Sequence, residues 1–117
     1  MDDLLLCSND PILIKGLYGV LRDNGYKVEV VNHSAHAVKK TFKNKYSVII
    51  IESESIGLSA EEAAQIIKSF HPDVPIIIAG DAKYSSNAMI VKRPIDFEEI
   101  KQLIGDIQKR NFERRGV

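Results

Sequence analysis

What this sequence lacks narrows it first. Cys7 is the only cysteine in 117 residues, so no internal disulfide can form and a reducing, cytoplasmic setting is expected. There is no excess of charge: 16 basic residues balance 16 acidic ones, which removes any general electrostatic case for nucleic acid or a membrane surface. No run approaches the roughly 20 apolar residues that cross a bilayer. Leu4-Leu5-Leu6-Cys7 has the look of a lipoprotein cleavage site, but Met1-Asp2-Asp3 is acidic and no long apolar region precedes it, so no leader is expected. Internal repeats and low-complexity tracts are also missing. No glycine-rich phosphate loop follows the first apolar segment, where Asn9-Asp10-Pro11 stands, which leaves nucleotide binding with little support.

What is present is a globular composition, 44% hydrophobic and 27% charged, of a length that buries one core. The centre of the pattern is Ser47-Val48-Ile49-Ile50-Ile51-Glu52. An unbroken β-branched run predicts a strand covered on both faces, the middle of a parallel sheet, with Glu52 at its carboxyl end, where such sheets gather ligands. Around it, apolar strands are expected at 4–7, 27–31, 75–79 and 89–91. Helices are expected at 11–24, 35–43, from Ser59 to Phe70, and after Asp96. Asp10 before Pro11, Ser34, Ser59 with Glu62, and Asp96 with Glu99 supply the caps, and Gly25 the first helix's stop. The inward stripes read Leu13 or Ile14, Leu17, Val20 and Leu21; Ala37, Val38, Thr41 and Phe42; Ala63, Ile66 or Ile67, and Phe70; and Phe97, Ile100, Leu103 or Ile104, and Ile107. Strands alternating with helices predict a single α/β domain, doubly wound on a five-stranded parallel sheet.

Five segments carry a resemblance. Leu4-Leu5-Leu6-Cys7-Ser8-Asn9-Asp10-Pro11, Gly25-Tyr26-Lys27-Val28, the run from Tyr46 to Glu52, Pro72-Asp73-Val74-Pro75-Ile76-Ile77 and Arg93-Pro94-Ile95-Asp96-Phe97-Glu98-Glu99-Ile100 closely resemble the receiver domain of two-component response regulators. The resemblance spans about residue 4 to residue 108, so a receiver-like domain is expected at 1–108 and a basic helix end or linker at 109–117. It implies the flavodoxin-like strand order 2-1-3-4-5. It also implies a phosphorylation site: an acidic pair holding magnesium, an aspartate acceptor, a hydroxyl residue and a lysine. Here the acidic pair falls on Ser8 and Asn9, with Asp10 just after, the acceptor on Glu52, the hydroxyl on Gly80 and the lysine on Arg93.

All of these positions depart from the pattern. Ser8 and Asn9 bring little negative charge for a magnesium ion that demands near-ideal oxygen geometry. Glu52 reaches one methylene beyond an aspartate, and phosphoryl transfer is mostly positioning, where a misplacement of about 1 Å costs around a hundredfold. Gly80 has no side-chain donor. The stretch from Gly80 to Ala88 is too short for the helix that the resemblance places between the last two strands, so that helix is expected to be lost or shortened.

The expected function is therefore a noncatalytic pseudo-receiver, not an enzyme, with magnesium binding lost and no other cofactor. It would act on a signalling protein partner, with homodimerisation left open, and without binding nucleic acid by itself or a membrane. Two alternatives stand beside it: a receiver still accepting a phosphoryl group from a histidine kinase, and a small-ligand sensor using the strand-end crevice. Glu52 and Arg93 invite a bidentate pair in which Glu52 resembles a permanently charged stand-in for a phosphorylated aspartate, against the plainer reading that both face solvent. Ile56, Leu58 and Tyr84 are apolar residues in polar loops, candidate contact anchors if they are not partly buried. Ser8 reads as turn chemistry rather than a nucleophile, and Cys7 as a small buried residue. Glu52 with Glu54 reads as solvated carboxylates. His33, His36 and His71 match no ligand spacing.

Overall fold

The computed structural model describes residues 3–115, with side chains through residue 110. Chain order is β1 (Asp3–Cys7), α1 (Pro11–Asp23), β2 (Lys27–Val31), α2 (Ser34–Lys43), β3 (Val48–Glu52), α3 (Ala60–Phe70), β4 (Ile76–Ala79), β5 (Met89–Val91) and α4 (Phe97–Arg115). The five strands form one parallel sheet in the order β2-β1-β3-β4-β5. α4 runs through the boundary expected at residue 108. The acidic start at Met1 and Asp2 and the basic side chains of Arg114 and Arg115 lie outside what is described.

The apolar run of β3 is explained by burial on both sides. Ile49 and Ile51 join Leu5, Cys7, Ile76 and Ile78 on the face covered by α2 and α3. Val48 and Ile50 join Leu4, Leu6, Ile77, Ala79 and Val91 on the face covered by α1 and α4. Alternate side chains point to opposite faces, so a strand with two covers needs no polar positions. Leu13, Leu17 and Leu21 of α1 and Ile100, Ile104 and Ile107 of α4 are buried, each set at helical spacing.

The helix starts follow local chemistry. Asp10 Oδ1 accepts from Ile12 N at 2.9 Å, with Pro11 in the first helical position. Ser59 and Glu62 close a reciprocal capping box. Asp96 Oδ1 accepts from Glu98 N at 2.9 Å. Gly25 takes φ +88°, the left-handed stop of α1.

Three expectations are corrected. Ser34 is not the cap of α2: His33 is, its Nδ1 accepting from Ala35 N at 3.1 Å, while Ser34 is buried as the first helical residue and donates to Leu58 O at 2.8 Å. Phe42 and Phe70 do not face inward but are 53% and 61% exposed, because Ala37, Val38, Ala63, Ala64 and Ile67 already fill the contact between α2, α3 and the sheet. They pack instead on each other.

No helix joins β4 to β5. The connection from Gly80 to Ala88 still delivers a parallel partner, pairing Ile77 with Met89, Ile78 with Ile90 and Ala79 with Val91. It crosses the α3 side, where Ala82 and Ala88 pack on the core and Glu61 in the first turn of α3 acts as a clamp. One Glu61 oxygen accepts from the Ser85 hydroxyl and the other from Asn87 Nδ2 at 3.0 Å. Ser85 Oγ in turn accepts from Asn87 N at 3.0 Å. Ser85 is buried, so removing its acceptor leaves a desolvated hydroxyl. Glu61→Ala is expected to lower stability by about 1–2 kcal/mol in urea titrations and to speed amide exchange from 82 to 88 before the rest of the sheet.

Candidate functional site

The site forms where the carboxyl ends of β1 and β3 meet the loops that follow them, on the side of the sheet that carries α1 and α4. Glu52, paired with Ala79 across the sheet, is 4% exposed. A carboxylate this buried needs donors, since leaving it unpaired would cost several kcal/mol. It has three. Ser8 Oγ donates to Oε1 at 2.7 Å, Asn9 N approaches the same oxygen at 3.4 Å, and the Arg93 guanidinium lies 3.5 Å from Oε2. Ser8, itself fully buried, also accepts from Asp10 N at 3.1 Å, which ties the start of α1 to the same carboxylate.

Arg93 serves more than one acid. The same terminal nitrogen is 3.5 Å from Glu54, and Nε is 3.6 Å from Asp81. Three loops are thus drawn to one guanidinium, whose fork presents donors in several directions. The contacts are long and Arg93 is about a third exposed, so each is worth less than an ideal buried pair.

Gly80 explains the missing hydroxyl. Its φ of +130° is a conformation that side chains rarely adopt, and an added Cβ would lie 2.1 Å from Ser53 Oγ. Ser53 Oγ meanwhile accepts from Asp81 N at 3.1 Å. A hydroxyl is therefore present beside Gly80, but it comes from the residue after Glu52. Residue periodicity carries no sign of this arrangement.

The donor set does not fit magnesium. The amide oxygen of Asn9 is occupied by Ile56 N at 3.2 Å, Ser8 spends its proton on Glu52, and the second oxygen of Glu52 faces a cation already. No group of three or more His, Cys, Asp or Glu side chains among the described residues is arranged to hold a metal ion. Cys7, one residue before Ser8, is also no reactive group: burial pushes its thiol up to about 11, with the Ser55 hydroxyl opposing and the Glu52 charge adding.

Of the other candidates, Ile56 is 57% exposed and Tyr84 90% exposed, whereas Leu58 is half-buried against the core on the α3 side. The backbone that carries Ile56 is fixed: its N–H goes to Asn9, its carbonyl accepts from Ser34 N at 2.8 Å, and it bridges to His33. His33 and His36 stay near the start of α2, while the His71 ring reaches the Thr41 carbonyl at the other end of the sheet. Beside Glu52 and Arg93 an apolar cleft of about 540 Å³ opens between Ile12, Leu13, Pro94, Ile95 and Phe97.

No protein-family model matches the chain. The transcriptional regulatory protein ZraR of Klebsiella oxytoca is 22% identical over 113 residues; the match takes in 89% of this chain and 26% of that protein, so the chain spans about a quarter of its curated relative. Among solved structures, the receiver domain of the Francisella response regulator 1452 superposes with a TM-score of 0.83 at 17% identity, over 95% of this chain and 99% of that one. A receiver domain protein from Clostridium thermocellum gives 0.84 at 16% identity, over 95% and 97%. The receiver domain of the sensor histidine kinase PA1611 from Pseudomonas aeruginosa PAO1, solved with a magnesium ion in its active site cleft, gives 0.77 at 20% identity, over 88% and 93%. The fold is that of response-regulator receiver domains.

Two outcomes are expected at this site. Gly80→Thr should cost about 2 kcal/mol or more in thermal or urea unfolding, since strained backbone of this kind costs roughly 1–3 kcal/mol before the overlap with Ser53 is counted. Arg93→Ala should cost about 1–2 kcal/mol, discounted for its exposure. A double-mutant cycle with Glu52→Gln should return a coupling of about 1 kcal/mol.

Proposed function

We propose that this receiver-fold domain is a noncatalytic pseudo-receiver, held in one state by its own side chains and acting by binding a signalling protein. The observation that carries the reading is the double grip on Glu52: Ser8 on one oxygen at 2.7 Å, and on the other an arginine that also reaches Glu54 and Asp81. In a working phosphoryl site a divalent cation offsets the charge of the transferring group and a lysine reads the product. In this domain Arg93 takes the cation's electrostatic part permanently, and Glu52 supplies the anion that a phosphorylated aspartate would supply transiently. The domain needs neither magnesium nor another cofactor.

The contact surface is the ring of loops at this end of the sheet together with α4. Tyr84 stands on the connection clamped by Glu61, and Ile56 stands on a backbone tied to Asn9 and Ser34. Leu58, half-buried against the core, offers less area itself. Apolar side chains held on fixed backbone lose little entropy on association, which is what a small anchor needs. The partner is a protein, a second copy of this chain being one form of it. The chain's balanced charge gives nucleic acid no general hold at this surface. With no helix among the described residues long and apolar enough to cross a membrane, the reading keeps the cytoplasmic setting.

Incubation with acetyl phosphate and magnesium is expected to leave the mass of the chain unchanged, and beryllofluoride with magnesium to leave the amide signals of Ser8, Glu52 and Gly80 in place. A phosphoryl adduct mapped to Glu52 or Ser53 would overturn the reading in favour of phosphotransfer.

A further inference from the structure

The two phenylalanines that the fold leaves outside lie at the other end of the molecule. Phe42 closes the last turn of α2 and Phe70 ends α3, their rings meeting edge-on with centroids 4.8 Å apart and planes at 78°. Beside Phe70, at the amino ends of β3 and β4, lies a cavity of about 390 Å³ whose walls include Thr41, Tyr46, His71, Val74 and Pro75. The wall is stiff. His71 reaches the Thr41 carbonyl at 2.7 Å, Val74 N donates to His71 O at 3.2 Å, and Tyr46 OH donates to Glu29 at 2.7 Å.

Charge around this face is predominantly basic. Between Glu29 and Glu52 the chain has no acidic residue, yet it carries Lys39, Lys40, Lys43 and Lys45. Lys40 is committed to Glu29 at 2.5 Å, and the pairing of Glu29 with Lys40 and Tyr46 holds that carboxyl below the usual range. Lys39, Lys43 and Lys45 are exposed and make no ion pair among the described residues. A favourable interaction with the helix dipole accounts for basic residues in the last turn, Lys40 and Lys43. It does not account for Lys45 beyond the helix end. Asp73 is the one carboxylate lining the cavity.

We infer that this face, formed by Phe42, Phe70 and the adjoining cavity within the Lys39, Lys43 and Lys45 rim, docks an acidic peptide segment of a partner protein. One aromatic or branched apolar side chain of that segment enters the cavity against Phe70, and its flanking carboxylates meet the lysines. The commitment to an acidic peptide rests on charge complementarity: three unpaired ammonium groups attract carboxylates and steer the encounter, while the aromatic pair and cavity take the anchor that a polyanion without apolar side chains lacks. The face lies across the sheet from Glu52 and Arg93, so the inference stands or falls independently of the phosphorylation reading.

The test pans a random dodecapeptide display library on the full chain and measures the enriched peptides by fluorescence anisotropy and amide chemical shifts. Enrichment of sequences with an aromatic or aliphatic residue flanked by Asp or Glu is expected, with shifts centred on Phe42, Lys45, Phe70 and His71. Phe42→Ala with Phe70→Ala, both surface changes checked for folding by circular dichroism, should weaken binding about tenfold or more. Lys39→Glu, Lys43→Glu and Lys45→Glu together should weaken it at least as much and invert its salt dependence, since added salt then screens a repulsion, while Arg93→Ala should leave it unchanged. Failure to enrich acidic peptides, shifts that map to another face, or equal binding by an anchor-to-alanine peptide overturns the inference. So does competition by duplex DNA as effective as by the peptide, which marks simple polyanion adsorption, or a dimer in sedimentation that the two Phe→Ala changes abolish, which assigns the face to a second copy.

Discussion

A carboxylate taken out of water must find donors, and the rim of this sheet is arranged around how Glu52 finds them. Its two oxygens recruit a hydroxyl and an amide from the loop after β1 and a guanidinium from the segment after β5. Those contacts in turn set other distances. Ser8 holds the amide that opens α1 through Asp10, and Arg93 draws Glu54 and Asp81 inward. The sheet supplies the platform, because β3 carries Glu52 to its carboxyl end with the side chain only 4% exposed. With this lining, the guanidinium of Arg93 supplies positive charge beside Glu52 from within the chain itself.

Much of the fold was legible in the residues because several local signals agreed. The apolar run of β3, the Asp10-Pro11 start, the Ser59 and Glu62 box and the glycine after α1 each act over a few residues, and each has a physical cause that distant contacts do not override. The shortened connection before β5 could be read from its length set against the resemblance. Helical spacing misplaced Phe42 and Phe70, since period specifies a face but not how many residues that face can bury. Small residues at Ala37, Ala63 and Ala64 bring α2 and α3 close to the sheet and leave the larger rings at the margin. His33 as a cap was illegible because Ser34, the better capping residue by type, stands next to it and is used to bind the Ile56 and Leu58 carbonyls instead.

The candidate site was legible as a set of positions and illegible as a network. Ser8, Asn9, Glu52, Gly80 and Arg93 could be picked out by resemblance, and the structure brings Ser8, Asn9, Glu52 and Arg93 into contact. Glu54 reads as solvated, and neither the contact of Asp81 with Arg93 nor the Ser53 hydroxyl beside Gly80 can be read from the residues, because each is an ordinary polar loop residue whose role exists only once three loops converge. The same holds for Glu61, whose clamp on Ser85 and Asn87 replaces the support that a crossover helix would give β5. The chain thus retains a parallel edge strand with a connection that sequence rules would judge too short.

The backbone at Gly80 carries a consequence for how such a domain changes over time. Where a residue sits at φ +130° with a neighbouring hydroxyl in the space its side chain would need, no single codon change can place a threonine or serine there without harm. The neighbour would have to shrink and the loop relax together with it, so the position stays closed to single substitutions while Ser53 keeps its place.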